Sequence, residues 1–136
     1  MQSPAVRLWA PPAIYAIAIF VLSSIPNPPA PPGAVTDKHL HALVYAGLAL
    51  LVLRALAAGD ARRVTSARAL GAAAIAAAYG VTDELHQWFV PGRVVDALDL
   101  LANAAGALAA TLLARGGVGF WIRERARASA RITEGS

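Results

Sequence analysis

A chain of 136 residues allows one domain, and 57% of its residues are hydrophobic against 15% that are charged. Soluble domains contain roughly 45–50% apolar and about 25% charged residues, so this composition favours a membrane protein. The net charge of +4 does not indicate nucleic acid as a partner, because the basic residues flank apolar runs, and the lack of cysteine excludes disulfides and thiolate metal sites.

Four apolar runs follow one another along the chain. Each has the roughly 17–23 residues that a helix needs to cross a bilayer, and hydrocarbon offers backbone groups no partner outside a helix. We therefore predict an all-α fold, a four-helix transmembrane bundle in residues 1–115, followed by a basic cytoplasmic tail in residues 116–136. The predicted helices cover residues about 9–25, 40–58, 67–89 and 96–114.

Turn residues separate these runs. The proline-rich segment 26–33 cannot be helical because proline lacks the amide donor, and residues 90–92 predict a tight turn between runs three and four. After the glycines at 116–117 we expect a separate short surface helix around 120–131. We expect the first run to remain as a signal anchor, since no small-x-small cleavage site follows it.

The placement of arginine predicts how the bundle is oriented. Ten of the twelve Lys and Arg residues lie before run one, between runs two and three, or after run four. Lys38 and Arg93 lie on the other side, together with five of the eight acidic residues. The positive-inside rule therefore places both termini in the cytoplasm and the acidic side outside, in a multi-pass protein of the cytoplasmic membrane.

The outer end of helix two carries a polar stripe. Asp37, His41 and Tyr45 recur at i, i+4 and i+8, and Lys38 lies beside them. Thr36 and Asp37 also fit a helix cap and a favourable charge at the positive helix end. Capping does not explain His41 and Tyr45, which lie one and two turns deeper.

The outer end of helix three carries Asp83, Glu84, His86 and Gln87. Two adjacent carboxylates at a helix C-terminus oppose the helix dipole, so they need a compensating cation or a proton. On a helical wheel Glu84 lies about 100° from the face that Asp83 shares with His86. A divalent metal site is an alternative, with the ligands Asp83, Glu84, His41 and His86. Two histidines from separate helices are a weak signal for metal, however, and we expect no metal or cofactor.

Helix four begins with Asp96 and Asp99, which fit the N-cap and N3 positions of a helix. Asn103 lies one to two turns inside and favours a hydrogen bond across helices. Helices two and four both start at the outer face. Lys38 and Arg93 stand beside these positive helix ends, where phosphate or carboxylate is favoured.

Several spaced motifs resemble one known family. In chain order they are Ser23-Ser24-Ile25-Pro26, Asp37-Lys38-x-x-His41-x-x-x-Tyr45, Tyr79-Gly80-x-x-Asp83-Glu84-x-His86-Gln87-x-Phe89-Val90-Pro91-Gly92-Arg93 and Asp96-x-x-Asp99-x-x-x-Asn103-x-x-Gly106. Through these motifs most of the chain is similar to the VanZ-like family. Val95 departs from the pattern, because family members often carry a small hydroxyl residue near this position.

The resemblance implies a small polytopic bacterial membrane protein of the cell envelope. The family takes its name from a teicoplanin-resistance protein, although a chain this short need not confer antibiotic resistance. Three hypotheses stay open. The first is a protein that binds membrane lipids at an outward-facing polar pocket, through an anionic headgroup such as that of a lipid-linked cell-wall precursor. The second is a membrane-embedded hydrolase or transferase acting on a lipid phosphate, and the third is a structural partner subunit of another membrane protein.

Twelve residues are candidates for the pocket, and whether the protein is an enzyme stays open. The candidate acid–base groups are His41, Asp83, Glu84 and His86. The candidate ligand-binding residues are Asp37, Lys38, Tyr45, Gln87, Arg93, Asp96, Asp99 and Asn103. The two hypotheses about binding or chemistry depend on whether these side chains meet in one pocket near the outer surface.

Overall fold

Four long helices account for most of the computed structural model, which describes residues 3–29 and 36–134, with side chains described up to residue 118. The helices are α1 (Pro4–Ser23), α2 (Asp37–Leu56), α3 (Ser66–Gln87) and α4 (Ala97–Glu134), and a short 3-10 helix covers Ala61–Arg63. The prediction of an all-helical fold is confirmed. Residues 26–29 are non-helical as predicted, whereas residues 30–35 of the proline-rich segment lie outside the described residues.

Capping residues start the first two helices earlier than hydropathy predicts. α1 begins at Pro4 instead of residue 9, because the Ser3 side chain accepts a hydrogen bond from the Val6 N–H at 3.4 Å and proline suits the first helical position. α2 begins three residues earlier than predicted, where the Thr36 N–H donates to the His39 ring at 3.1 Å. Hydropathy finds the apolar middle of a helix, and capping chemistry decides where it starts.

The predicted end of helix four is wrong. α4 continues as one helix from Ala97 to Glu134 through Gly116 and Gly117, so the separate surface helix expected around 120–131 is part of α4. A glycine in a helix interior costs only about 1 kcal/mol relative to alanine, which flanking helix formers outweigh. The side chains beyond residue 118, including the arginines of the basic tail, lie outside the described side chains.

Within the described residues, three helices are long and apolar enough to cross a membrane, namely α1, α2 and the Ala97–Val118 part of α4. α3 has 22 residues but is less apolar, because alanines fill its middle. It packs against both α2 and α4. Large apolar side chains such as Ile14, Leu43 and Leu113 are exposed on the outer surface, where lipid tails would surround them. The fold is that of a helical membrane protein.

The inner face of α3 is a continuous buried stripe that changes from alanine to carboxylate. Its buried residues are Ala69, Ala72, Ala73, Ala76, Gly80, Asp83, Glu84 and Gln87. The alanines join the hydrophobic core with Leu48 and Val52 of α2, because small residues let helices approach closely. Asp83 and Glu84 are both buried, although the helical wheel separates them, since the stripe is wide enough to include adjacent positions.

All the candidate site residues lie at one end of the bundle. The C-termini of α1 and α3 meet the N-termini of α2 and α4 there, as shown by a hydrogen bond between Ser24 and His86 and an ion pair between Lys38 and Asp96. We call this the polar end. α2 and α4 run in the same direction and make the most extensive helix–helix contact in the described structure.

Candidate functional site

Lys38 joins the start of α2 to the start of α4. Its Nζ donates to Asp96 Oδ2 at 2.7 Å and to Asp99 Oδ1 at 3.1 Å. Asp96 also accepts from the Leu98 N–H at 2.9 Å, so it is the N-cap of α4, as the sequence predicts. The hydrogen bond from Lys38 holds the pKa of Asp96 below its usual range. Two carboxylates therefore already share the charge of Lys38.

His41 is held by the cross-helix hydrogen bond that the sequence predicts for Asn103. His41 Nδ1 lies 3.0 Å from Asn103 Oδ1, and because a carbonyl oxygen only accepts, Nδ1 must be the protonated ring nitrogen. The other nitrogen, Nε2, lies 3.9 Å from Asp99 Oδ2, which is too long for a hydrogen bond. In a neutral ring, Nε2 therefore presents a lone pair towards a carboxylate.

Asp83 lies at the centre of a buried hydrogen-bond cluster. Its Oδ2 accepts from Tyr45 OH and from Gln87 Nε2, each at 3.1 Å. Tyr45 is 1% exposed and Asp83 is 4% exposed, so this contact is almost wholly buried. Asp83 therefore has a structural role in joining α2 to α3, in addition to any role in binding.

Glu84 differs from Asp83 because its charge has no partner. Both Glu84 carboxylate oxygens are buried without a hydrogen bond, and the side chain is only 2% exposed. The Oδ1 atom of Asp83 and the Nδ2 atom of Asn103 are likewise buried without a partner. A buried charge costs much free energy unless it is paired, so this carboxylate marks an incomplete site.

Two candidate residues face α1 instead of the α2–α4 contact. His86 Nε2 lies 2.9 Å from Ser24 Oγ, and its ring stacks on Phe20 with the ring centroids 4.3 Å apart. Arg93 donates from Nη2 to the Leu22 carbonyl at 2.8 Å and from Nε to the Ile25 carbonyl at 3.2 Å. Arg93 thereby binds the last turn of α1 and the residue that follows it, and it shares the Leu22 carbonyl with the Ile25 N–H at 3.3 Å.

A cavity of about 180 Å³ opens at the polar end between α1, α2 and α3. Its apolar lining residues are Ile19, Leu22, Leu40 and Val44. Its polar lining residues are Ser23, Asp37, His41, Tyr45, Asp83, Gln87 and Arg93. The lining therefore combines residues that suit a hydrocarbon chain with residues that suit a polar group.

The described structure brings most of the twelve candidates into two adjoining groups, the cavity and the α2–α4 contact around Asp99. His86 lies apart from His41, since its ring nitrogen and its face both contact α1. The sequence analysis did not assign a role to Ser24, which donates to the Phe20 carbonyl at 2.6 Å and so accepts from His86. The position of Ser24 in the Ser23-Ser24-Ile25-Pro26 motif is the sequence signal that could have identified it.

A family model described as VanZ/LLP1 matches residues 27–122. No curated protein and no solved structure matches the chain. The matched range includes all twelve candidate residues, from Asp37 at the start of α2 to Asn103 in α4.

Proposed function

Since the chain belongs to the VanZ/LLP1 family, we propose that this membrane protein binds the headgroup of an anionic lipid in the cavity at its polar end. The observation that carries the proposal is the mixed apolar and polar lining of that cavity. A volume of about 180 Å³ equals roughly six water molecules, enough for a phosphate group and the first carbons of a chain. The family takes its name from a teicoplanin-resistance protein, so a lipid-linked cell-wall precursor is the first anionic lipid to test.

Arg93 is the cation best placed to hold the anion. Two of its five N–H donors bind the carbonyl oxygens of Leu22 in α1 and of Ile25 just after it, which orients the guanidinium at the cavity and leaves the Nη1 group for a ligand. Lys38 is less available, because it pairs with Asp96 and Asp99. The proposal therefore assigns anion recognition mainly to Arg93, with the positive N-terminus of α2 beside it.

We also propose that the polar end faces outward and that both termini lie in the cytoplasm, as the distribution of arginine predicts. The chain has no cysteine, so single introduced cysteines give a clean test. Val95→Cys at the polar end should react with a membrane-impermeant maleimide in intact cells. Ala61→Cys at the opposite end should react only after lysis. Labelling of both in intact cells, or the reverse pattern, would refute this orientation.

Arg93→Gln should weaken binding of a polyprenyl phosphate at least tenfold. Hydrogen bonds to a charged group contribute about 1.5–3 kcal/mol, and about 1.4 kcal/mol corresponds to a factor of ten. Arg63→Gln is the matched control, because Arg63 is exposed at the other end of the bundle and contacts Asp60 at 3.7 Å. Affinity is measured on detergent-purified protein by titration with a fluorescent polyprenyl phosphate.

The lipid itself supplies a control that needs no variant. Wild-type protein should bind the polyprenyl phosphate more tightly than the uncharged polyprenol of the same length. Equal affinity for the two lipids would exclude headgroup recognition even if Arg93→Gln does not fold. Release of inorganic phosphate during the same incubation measures the hydrolase alternative, for which His41 is better placed than His86 because it lines the cavity.

A further inference from the structure

We propose that Asp37, His41 and Asp99 form a site for one divalent transition-metal ion at the polar end. Glu84, which is buried on α3 outside this triad but within Coulombic range of His41 and Asp99, would move in as a fourth protein ligand. The site rests on its own geometry and does not require the lipid-binding proposal. Where both hold, the ion bridges the anionic headgroup to the acidic residues of the cavity rim.

The three side chains converge from two helices. One ligand atom each from Asp37, His41 and Asp99 lies within 4.8 Å of the other two. Two ligands on one tetrahedral zinc ion lie about 3.3–3.6 Å apart, since metal–ligand distances are about 2.0–2.2 Å. His41 Nε2 and Asp99 Oδ2 lie 3.9 Å apart, which is close to that separation. Asp37 must approach by up to about 1.5 Å to reach this geometry, and its side chain is exposed and free to rotate.

His41 is oriented as a metal ligand would be. Its Nδ1–H donates to Asn103 Oδ1 at 3.0 Å, which leaves the lone pair on Nε2, the nitrogen that points towards Asp99. Histidine ligands usually donate their second ring nitrogen to an oxygen acceptor in this way, because that bond fixes the tautomer and the orientation of the ring. Without a cation, the Nε2 lone pair and the Asp99 carboxylate would repel each other.

The burial of Glu84 is independent evidence that a cation binds here. Its carboxylate is buried without a hydrogen-bond partner, within Coulombic range of His41 and Asp99. Among the side chains described up to residue 118, Lys38 is the cation that contacts this cluster, and it serves both Asp96 and Asp99. The cluster therefore carries more negative charge than its contacts neutralise.

The ligand types indicate which ion the site would take. Carboxylates bind Mg²⁺, Ca²⁺ and Mn²⁺ well, whereas an imidazole ligand favours Zn²⁺ and other transition metals. One histidine with three carboxylates therefore suits Mn²⁺ or Zn²⁺ better than Mg²⁺ or Ca²⁺. Such an ion would act as a Lewis acid towards a phosphate oxygen, which is the chemistry that binding of an anion beside carboxylates needs.

The test measures Mn²⁺ binding by the full-length protein, stripped with EDTA in detergent and free of added lipid. Loss of the free Mn²⁺ signal in electron paramagnetic resonance should give one ion per chain, and spin-echo spectra should show a coupled histidine nitrogen. His41→Gln should remove that nitrogen signal and weaken binding at least tenfold. His86→Gln is the matched control and should change neither.

Asp37→Asn keeps the test valid if variants of the buried ligands do not fold. Asp37 is exposed, so the variant should fold normally and still bind Mn²⁺ at least tenfold more weakly. Asp60→Asn, an exposed carboxylate at the opposite end, should bind like the wild type. Equal affinity in wild type, Asp37→Asn and His41→Gln, or the absence of stoichiometric binding of both Mn²⁺ and Zn²⁺, would overturn the proposal. Neither outcome would affect a lipid affinity measured in EDTA.

Discussion

Gly106→Ala should destabilise the protein by about 3 kcal/mol or more, because α2 and α4 touch backbone to backbone at this position. A Cβ added to Gly106 would overlap the carbonyl oxygen of Ala42 and would lie 2.6 Å from its carbonyl carbon and 2.7 Å from its Cα. An added methyl group is tolerated when the atoms it meets belong to a side chain that can move away. The backbone atoms of Ala42 lie in the middle of a helix and cannot move away. The free energy of unfolding in mixed detergent micelles measures the effect.

Gly116→Ala in the same helix is the matched control. Nothing lies within 4 Å of a Cβ at Gly116, so alanine there should stabilise α4 by up to about 1 kcal/mol through helix propensity alone. Gly80→Ala should fall between these variants, since its Cβ would lie 3.0 Å from Asn103 Nδ2 and 3.1 Å from the Tyr45 ring. Equal stability of Gly106→Ala and Gly116→Ala would show that α2 and α4 are not in contact as described.

The close contact at Gly106 also explains how the site is assembled. Ala42 directly follows His41 in α2, and Asn103 lies about one turn before Gly106 in α4. The helices must therefore approach at Gly106 for His41 to reach Asn103 at 3.0 Å. Gly106→Ala should consequently weaken any binding at the polar end even in the fraction that still folds.

Much of the fold follows from the sequence because it depends on local patterns. Apolar runs of the right length predict four helices, and turn residues predict the breaks near residues 26 and 91. The exceptions have local physical causes as well. Ser3 and Thr36 extend helices beyond their apolar parts by capping. Gly116 and Gly117 do not end α4, because the cost of glycine in a helix is small compared with the stability of the helix around it.

The partners within the site are harder to predict, since they depend on how each helix is rotated about its axis. The sequence places Lys38 and Arg93 near an anion, whereas Lys38 pairs with two carboxylates and Arg93 holds the end of α1. His86 shares a helical end with Glu84 but faces Phe20 instead. The spacing of Ala69 and its buried neighbours on α3 is the signal that would have placed Glu84 inside, since it continues the same stripe.

Glu84→Gln should stabilise the metal-free protein by roughly 1–3 kcal/mol. The wild-type carboxylate is buried with neither oxygen hydrogen-bonded, and an unpaired buried charge costs more than a neutral amide of the same shape. The free energy of unfolding is measured in EDTA by the same micelle titration. A stabilising substitution at a buried position is expected where the native residue serves binding at the expense of stability.

Asp83→Leu, at the adjacent carboxylate, should have the opposite effect. It removes the acceptor for Tyr45 OH and Gln87 Nε2, and each buried donor left unpaired costs about 1–3 kcal/mol. Loss of stability in both variants would indicate that Glu84 only locks the bundle, as the structural-subunit hypothesis requires.

The stability advantage of Glu84→Gln should shrink when metal is added. An ion at one hundred times its dissociation constant stabilises the folded protein by about 2.7 kcal/mol, and the wild type should gain this while Glu84→Gln gains less. A carboxylate that costs stability without an ion and increases the stabilisation by an ion behaves as a ligand. If added Mn²⁺ or Zn²⁺ stabilises both proteins equally, Glu84 is not a ligand, and its burial needs another explanation, such as a retained proton.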